Sequence, residues 1–215
     1  MQKVAVIGGT GKLGSALARR WGQAGLNVTI GSRHAQAAQE AAAFLGFGIA
    51  GASNAEAARL GDIVVVTVPF AAQEATLADI RAHVAGKIVV DTTVPLIPPK
   101  VMQVQLPAEG SAAMRAQTLL GEGANVVSGF HNVAAHKLAT DEEIACDVLV
   151  FGNDKAARAQ VIALAAHARL RGLHGGALVN SAAAEAMTSV LIFMNRAYQV
   201  DGAGVQITGT LINPD

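Results

Sequence analysis

The 215-residue sequence predicts an α/β fold with a doubly wound, mostly parallel sheet and a small C-terminal helical and strand extension. Three observations carry that prediction. Short Val/Ile-rich runs alternate with Ala-rich helical stretches, as in a parallel sheet covered by helices. Asp62–Val68 is a continuous apolar run too short for a helix, which suits a central strand buried on both faces. A glycine-rich turn follows the first strand and opens a helix.

In order, Lys3–Ile7 is predicted as a strand and Lys12–Ala24 as a helix, closed by Gly25. Asn27–Ile30 reads as the second strand. Helices follow over Ala35–Leu45 and Asn54–Leu60, the second capped by Ser53. After the central strand come a helix over Ala71–Val84 and a strand over Lys87–Asp91. Val94–Pro107 holds four prolines and is expected to be a loop or an edge excursion. Beyond it the pattern predicts a helix over Ser111–Leu120 and strands over Asn125–Ser128 and Asp147–Phe151. Helices over Lys155–Arg169 and Leu178–Tyr198 come next, and Gly204–Ile207 reads as a last edge strand. The expected division is a first portion over 1–125, up to where the strand–helix rhythm has loosened, and a second over 126–215 that completes the sheet.

The totals narrow the partners. Lys plus Arg equal Asp plus Glu at sixteen each, with no basic run, so neither nucleic acid nor an anionic membrane surface is expected. Cys146 is the only cysteine, which excludes an intrachain disulfide and favours a cytoplasmic setting. The N-terminus lacks signal-peptide features, and no apolar run reaches membrane-spanning length. The most apolar helix, Ala182–Met194, carries Glu185, Thr188 and Ser189, so it reads as a buried or subunit-interface helix.

The chemistry begins at Gly9-Thr10-Gly11-Lys12-Leu13-Gly14, which fits G-x-G-x-x-G between a strand and a helix. Gly9 permits the tight turn, Gly11 lets the backbone approach a pyrophosphate, and Gly14 lets helix and strand pack closely. The helix N-terminus beyond offers free N–H groups and a positive dipole end to phosphates. These features predict a Rossmann-type dinucleotide site. An NAD-specific domain places a carboxylate after the second strand, whereas this chain has Gly31-Ser32-Arg33-His34. Ser32 can hydrogen-bond a 2′-phosphate and Arg33 can pair with it, so NADP(H) is the expected cofactor. The glycines also fit the short-chain dehydrogenase spacing, but the only tyrosine is Tyr198 and position 202 is Gly, which excludes that Tyr-x-x-x-Lys chemistry.

Thr67-Val68-Pro69-Phe70 follows the central strand at the carboxyl end, where open α/β sheets bind ligands, with Val68 and Phe70 as apolar walls. Asp91-Thr92-Thr93-Val94 does the same beside it. His131, in Gly129-Phe130-His131-Asn132, is the candidate catalytic residue. From sequence it can be an acid/base, a donor to a carbonyl, or a structural histidine. No set of ligands has metal-site spacing, so no metal is expected. After Lys155 there is no lysine, unlike hydroxyacid dehydrogenases with a catalytic lysine in a C-terminal domain. A bound NADPH without an acid/base ensemble suits hydride transfer between two flat rings, where the protein supplies proximity and orientation.

Taken together, the chain resembles the NADPH-dependent coenzyme F420 reductases over nearly its whole length. The resemblance rests on the glycine turn from Gly8, Gly31-Ser32-Arg33, Thr67-Val68-Pro69, Val94-Pro95-Leu96 and Ser128-Gly129-Phe130-His131. It continues through Gly152-Asn153-Asp154, Asn180-Ser181-Ala182 and Asn195-Arg196. It implies that Thr10, Lys12 and Leu13 line the pyrophosphate turn and that Ser32 and Arg33 hold the 2′-phosphate. Val68 and Pro69 would border the nicotinamide, and His131 would face the paired rings. It further implies coenzyme F420, or a flavin, as hydride partner and a homodimeric assembly, with 1–125 as the NADP-binding Rossmann domain and 126–215 completing the acceptor pocket and the dimer interface. Positions 36 and 37 are Gln and Ala, where the family has a further basic residue. An NADPH-dependent reductase of a small imine or carbonyl, with His131 as proton donor, is the competing enzyme class. A non-catalytic NADP(H) sensor is the other alternative.

Overall fold

The computed structural model describes residues 2–212. Strands β1 (Lys3–Ile7), β2 (Asn27–Ser32), β3 (Ala50–Ser53), β4 (Ile63–Val66), β5 (Ile88–Asp91), β6 (Asn125–Ser128), β7 (Asp147–Gly152) and β8 (Arg171–Gly176) form one sheet. Their order is β3-β2-β1-β4-β5-β6-β7-β8. The first six are parallel, and their order is that of a doubly wound dinucleotide fold. β7 reverses against β6, and β8 runs parallel to β7. Helices α1 (Lys12–Gln23), α2 (Ala35–Leu45), α3 (Asn54–Leu60), α4 (Phe70–Ile80), α5 (Ala112–Leu120), α6 (Ala135–Leu138), α7 (Lys155–His167) and α8 (Ser181–Tyr198) complete the chain.

The sheet carries a core on each face. Alternation splits β1 and β4 between them: Val4, Val6, Ile63 and Val65 face one cluster, while Ala5, Ile7, Val64 and Val66 face the other. That double burial is why Ile63–Val66 reads as an unbroken apolar run. Trp21 of α1 is fully buried, and its indole N–H donates to the Leu164 carbonyl of α7 at 2.8 Å. Arg20, also buried, donates to the carbonyls of Leu138, Ala168, Thr140 and Glu142, so α1 holds the segment that follows α6.

Several expectations are corrected. β3 and β8 were not predicted, because Ala50-Gly51-Ala52-Ser53 and Arg171-Gly172-Leu173-His174-Gly175-Gly176 lack β-branched residues. Both are edge strands that take their conformation from the neighbour they pair with. The proposed edge strand Gly204–Ile207 is not a strand. It runs beside the start of β7, with the Asp147 N–H donating to the Val205 carbonyl at 2.7 Å. The Asp147 carboxylate then accepts from the Ile207 N–H at 2.6 Å, so one side chain holds the segment where a ladder would have. The last helix is preceded by a separate 3-10 turn over Leu178–Asn180. Ser53 caps α3 as expected, its hydroxyl accepting from the Glu56 N–H at 3.2 Å.

Candidate active site

The carboxyl ends of the central strands are stitched into one edge. The Gly9 N–H donates to Gly31 at 2.9 Å, the Thr67 N–H to Ile7 at 2.9 Å, and the Thr92 N–H to Val66 at 3.2 Å. The Gly129 N–H, 3.3 Å from the Asp91 carbonyl, extends the row to β6. This edge brings together Gly9–Gly14, Ser32 and Arg33, Val68–Phe70, Val94 and His131, which are scattered along the chain.

The glycine turn has the shape of a close cradle. Gly8 adopts φ +74°, a left-handed conformation natural to glycine. A Cβ on Gly9 would lie 2.6 Å from the Ile30 side chain and 2.8 Å from the Val6 carbonyl. One on Gly14 would collide with the Thr67 hydroxyl and sit 2.8 Å from Gly9 Cα. No side chain caps α1 at Gly11, so its first N–H groups stay open to an anion. Thr10, Gly11 and Lys12 are exposed and Leu13 half-buried around this opening. The residues present therefore fit a pyrophosphate. Asn54, which the sequence reading passed over, holds the turn from outside: its buried carboxamide oxygen accepts from the Gly8 N–H at 3.3 Å.

Ser32 ends β2 half-buried, and Arg33 beside it is exposed, with no ion pair among the described residues. Both stand beyond the strand that abuts the turn, where a ribose phosphate would lie. Pro69 caps α4 without a hydrogen bond, and Phe70 opens it. The Arg115 guanidinium lies 5.1 Å from the Phe70 ring centroid, so part of the predicted apolar wall is covered by a cation. Val94 is half-buried at the end of the β5 segment.

Beneath that segment runs a buried polar network that the sequence reading did not single out. Asp91 accepts from Gln73 Nε2 at 2.6 Å and from the Thr93 N–H at 2.9 Å. Gln73 also donates to the Ala112 carbonyl at 2.9 Å. Glu185 of α8 caps α5, accepting from the N–H groups of Ala112 at 2.6 Å and Ala113 at 3.1 Å. Burial pushes the Asp91 carboxyl up to about 6 and Glu185 up to about 7, with hydrogen bonds opposing in each case.

His131 follows β6 and is 8% exposed. Its Nε2 lies 3.0 Å from Ser128 Oγ, and burial brings its pKa down to about 4. At neutral pH the ring is uncharged. Its neighbour Asn132 donates to the Ala184 carbonyl at 2.9 Å and to the Thr188 hydroxyl at 3.1 Å. Asn132 also lines a cavity of about 910 Å³ whose walls include Leu149, Phe151, Leu173 and Met187. None of the predicted cofactor residues lines this cavity; it is built from the C-terminal portion and bordered by Val205, Ile207, Leu211 and Ile212. Among the described residues, no three His, Cys, Asp or Glu side chains gather as metal ligands, and no helix is long and apolar enough to cross a membrane.

Comparison with known proteins is consistent with this geometry. Residues 3–95 match the family model of NADP oxidoreductases, coenzyme F420-dependent. An F420-dependent NADP reductase of Methanothermobacter thermautotrophicus is 39% identical, over 97% of this chain and 95% of the relative. One from Methanocaldococcus jannaschii is 36% identical, over 96% of this chain and 98% of its own. In fold, a crystal structure from Arthrobacter sp. FB24 superimposes with a TM-score of 0.82 at 24% identity, covering 97% of this chain and all of its own.

Proposed function

The chain belongs to the coenzyme F420-dependent NADP oxidoreductase family, and from that premise we propose that it passes a hydride between NADP(H) and coenzyme F420. The observation that carries the reading is the stitched carboxyl edge, with a phosphate cradle at Gly9–Gly14, Ser32 and Arg33 along it, and His131 at its far end. When bound, the nicotinamide gives up or takes the hydride. The protein's own part is to seat the pyrophosphate on α1, to hold the 2′-phosphate with Ser32 and Arg33, and to wall the nicotinamide with Val68, Pro69, Phe70 and Val94. Holding the two rings in contact supplies the proximity and orientation on which the rate depends.

The C-terminal portion serves the acceptor side. Its cavity reaches Asn132, the residue next to His131, and its apolar walls suit a flat ring. Reduction of an imine or carbonyl would need an acid to deliver a proton, and burial keeps His131 in its neutral form, a hydrogen-bond donor and not an acid. We further infer a homodimer, since α8 exposes Met187, Val190, Phe193 and Met194, an apolar surface beyond ordinary single exposures. A cytoplasmic setting goes with these two cofactors and with a single thiol.

The test is stopped-flow absorbance of protein-bound NADPH and NADH, mixed separately with coenzyme F420, a flavin and a cyclic imine. Rapid oxidation of NADPH by coenzyme F420 is expected. Bound NADPH that survives every deazaflavin offered removes the reading. Light scattering on an eluting peak gives the mass, and a monomer at micromolar concentration removes the dimer.

A further inference from the structure

Ser128 is completely buried at the end of β6, where its backbone is registered between Asp91 of β5 and Phe151 of β7. Its hydroxyl has one side-chain partner among the described residues, His131 Nε2 at 3.0 Å. The approach is imposed by the chain between them. Phe130 adopts φ +66°, left-handed for a bulky residue, and its ring is held edge-on against Trp21 with centroids 6.0 Å apart. The Thr188 hydroxyl of α8, 3.2 Å from the His131 carbonyl oxygen, fixes the backbone from the other side.

The proton in this contact can be assigned. If Nε2–H donated to Ser128, the serine hydrogen would be left in a sealed site without an acceptor, at a cost of about 1–3 kcal/mol. If the hydroxyl donates to the Nε2 lone pair, the buried serine hydrogen is used. The imidazole proton then sits on Nδ1. That nitrogen has no protein partner among the described residues. It is not sealed either, since the buried side-chain atoms without a partner are Gln73 Oε1 and Thr93 Oγ1.

We propose that Ser128 is a positioning residue that locks His131 in its Nδ1–H tautomer, so that the ring offers an N–H donor to a carbonyl oxygen of the cofactor pair. The oxygen belongs to the nicotinamide carboxamide or to the ring carbonyls of the deazaflavin. The assignment of His131 to the site rests on the hydride-transfer reading; the tautomer does not. His131 orients a ring and moves no proton.

Nitrogen-15 correlation spectra of the imidazole in the cofactor-free protein test the tautomer directly. A pyrrole-type Nδ1 and a pyridine-type Nε2 are expected at pH 7.5. The reverse pattern, or averaging between both forms, overturns the proposal, and the wild-type spectrum decides this even if a variant misfolds. Ser128→Ala should lose the single-tautomer pattern and lower kcat about tenfold, the rate equivalent of one hydrogen bond, with the KM for NADPH within twofold. An unchanged spectrum in Ser128→Ala refutes the lock. His131→Asn, which keeps an N–H near Nδ1, should retain more turnover than His131→Phe; equal losses refute the donor role. A KM for NADPH that rises in His131→Phe points to the carboxamide, and a KM for coenzyme F420 that rises points to the deazaflavin. If the tautomer holds but no deazaflavin oxidises bound NADPH, the hydride-transfer reading fails and the lock stands.

Discussion

Replacing Gly14 by alanine perturbs the phosphate cradle at a point where the structure sets the size of the effect. The added Cβ would lie 2.8 Å from Gly9 Cα and 3.0 Å from the Gly8 carbonyl oxygen, and it would also meet the Thr67 hydroxyl. Ordinary contact begins near 3.4 Å, so turn and helix must part by about 0.6 Å. The first two obstacles are backbone, which cannot rotate away, and overpacking of this kind costs about 1–3 kcal/mol. A displacement of that size takes hydrogen bonds of about 2.9 Å to the limit of their range. Losing one charge-assisted bond to the pyrophosphate, worth about 1.5–3 kcal/mol, should weaken NADPH roughly tenfold to 150-fold. Fluorescence titration of NADPH and thermal unfolding should be run together on Gly14→Ala and Gly25→Ala. Gly25 has φ +83° and nothing within 4 Å of an added Cβ, so alanine there should cost about 1–2 kcal/mol of stability and leave NADPH affinity alone. An NADPH affinity for Gly14→Ala within twofold of wild type would falsify the close-approach argument.

Arg33→Ala should weaken NADPH about tenfold or more while sparing NADH, measured as the ratio of kcat/KM values; equal losses for both would deny Arg33 the 2′-phosphate. Asn54→Ala removes the acceptor of the Gly8 N–H, and the loosened turn should raise the NADPH Kd about five- to twentyfold. Isothermal calorimetry checks this, and an unchanged Kd makes Asn54 a packing residue only. His131 should also be visible in the pH dependence of stability. Its folded pKa, about 4, lies below its unfolded value near 6.5, so the unfolded chain binds the proton more readily. That penalty is absent above pH 6.5 and grows as pH falls toward 4, where it approaches about 3 kcal/mol. Denaturant titrations of His131→Phe should therefore lose less stability than wild type between pH 7 and 4.5, and parallel curves would contradict the burial of a neutral ring.

What was legible in the sequence was local. The glycine turn, the strand before it and the helix after it are neighbours in the chain, and each glycine has a steric reason that can be stated without the rest of the molecule. Ser32 and Arg33 likewise follow directly from the strand they end. β4 was legible because burial on both faces leaves an unbroken apolar run. β3 and β8 were not, since their small and polar residues become strands only through pairing with β2 and β7. Gly204–Ile207 differs the other way: its strand-like residues are held by one backbone bond to Asp147 and by the Asp147 and Arg171 side chains instead of a ladder.

The candidate site divides along the same line. Sequence alone determined which dinucleotide to expect and which backbone turn would carry it, because the carboxylate of an NAD site and the Tyr-x-x-x-Lys pair are present or absent as residues. Only the tertiary structure decided what holds that turn and what His131 can do. Asn54 reaches Gly8 across 46 residues, and Glu185 reaches Ala112 across 73. Ser128 and His131 are only three apart, yet they meet across a left-handed Phe130 whose ring packs edge-on against Trp21. A histidine's charge and tautomer depend on desolvation and on one oriented hydroxyl, and both are properties of the packed chain.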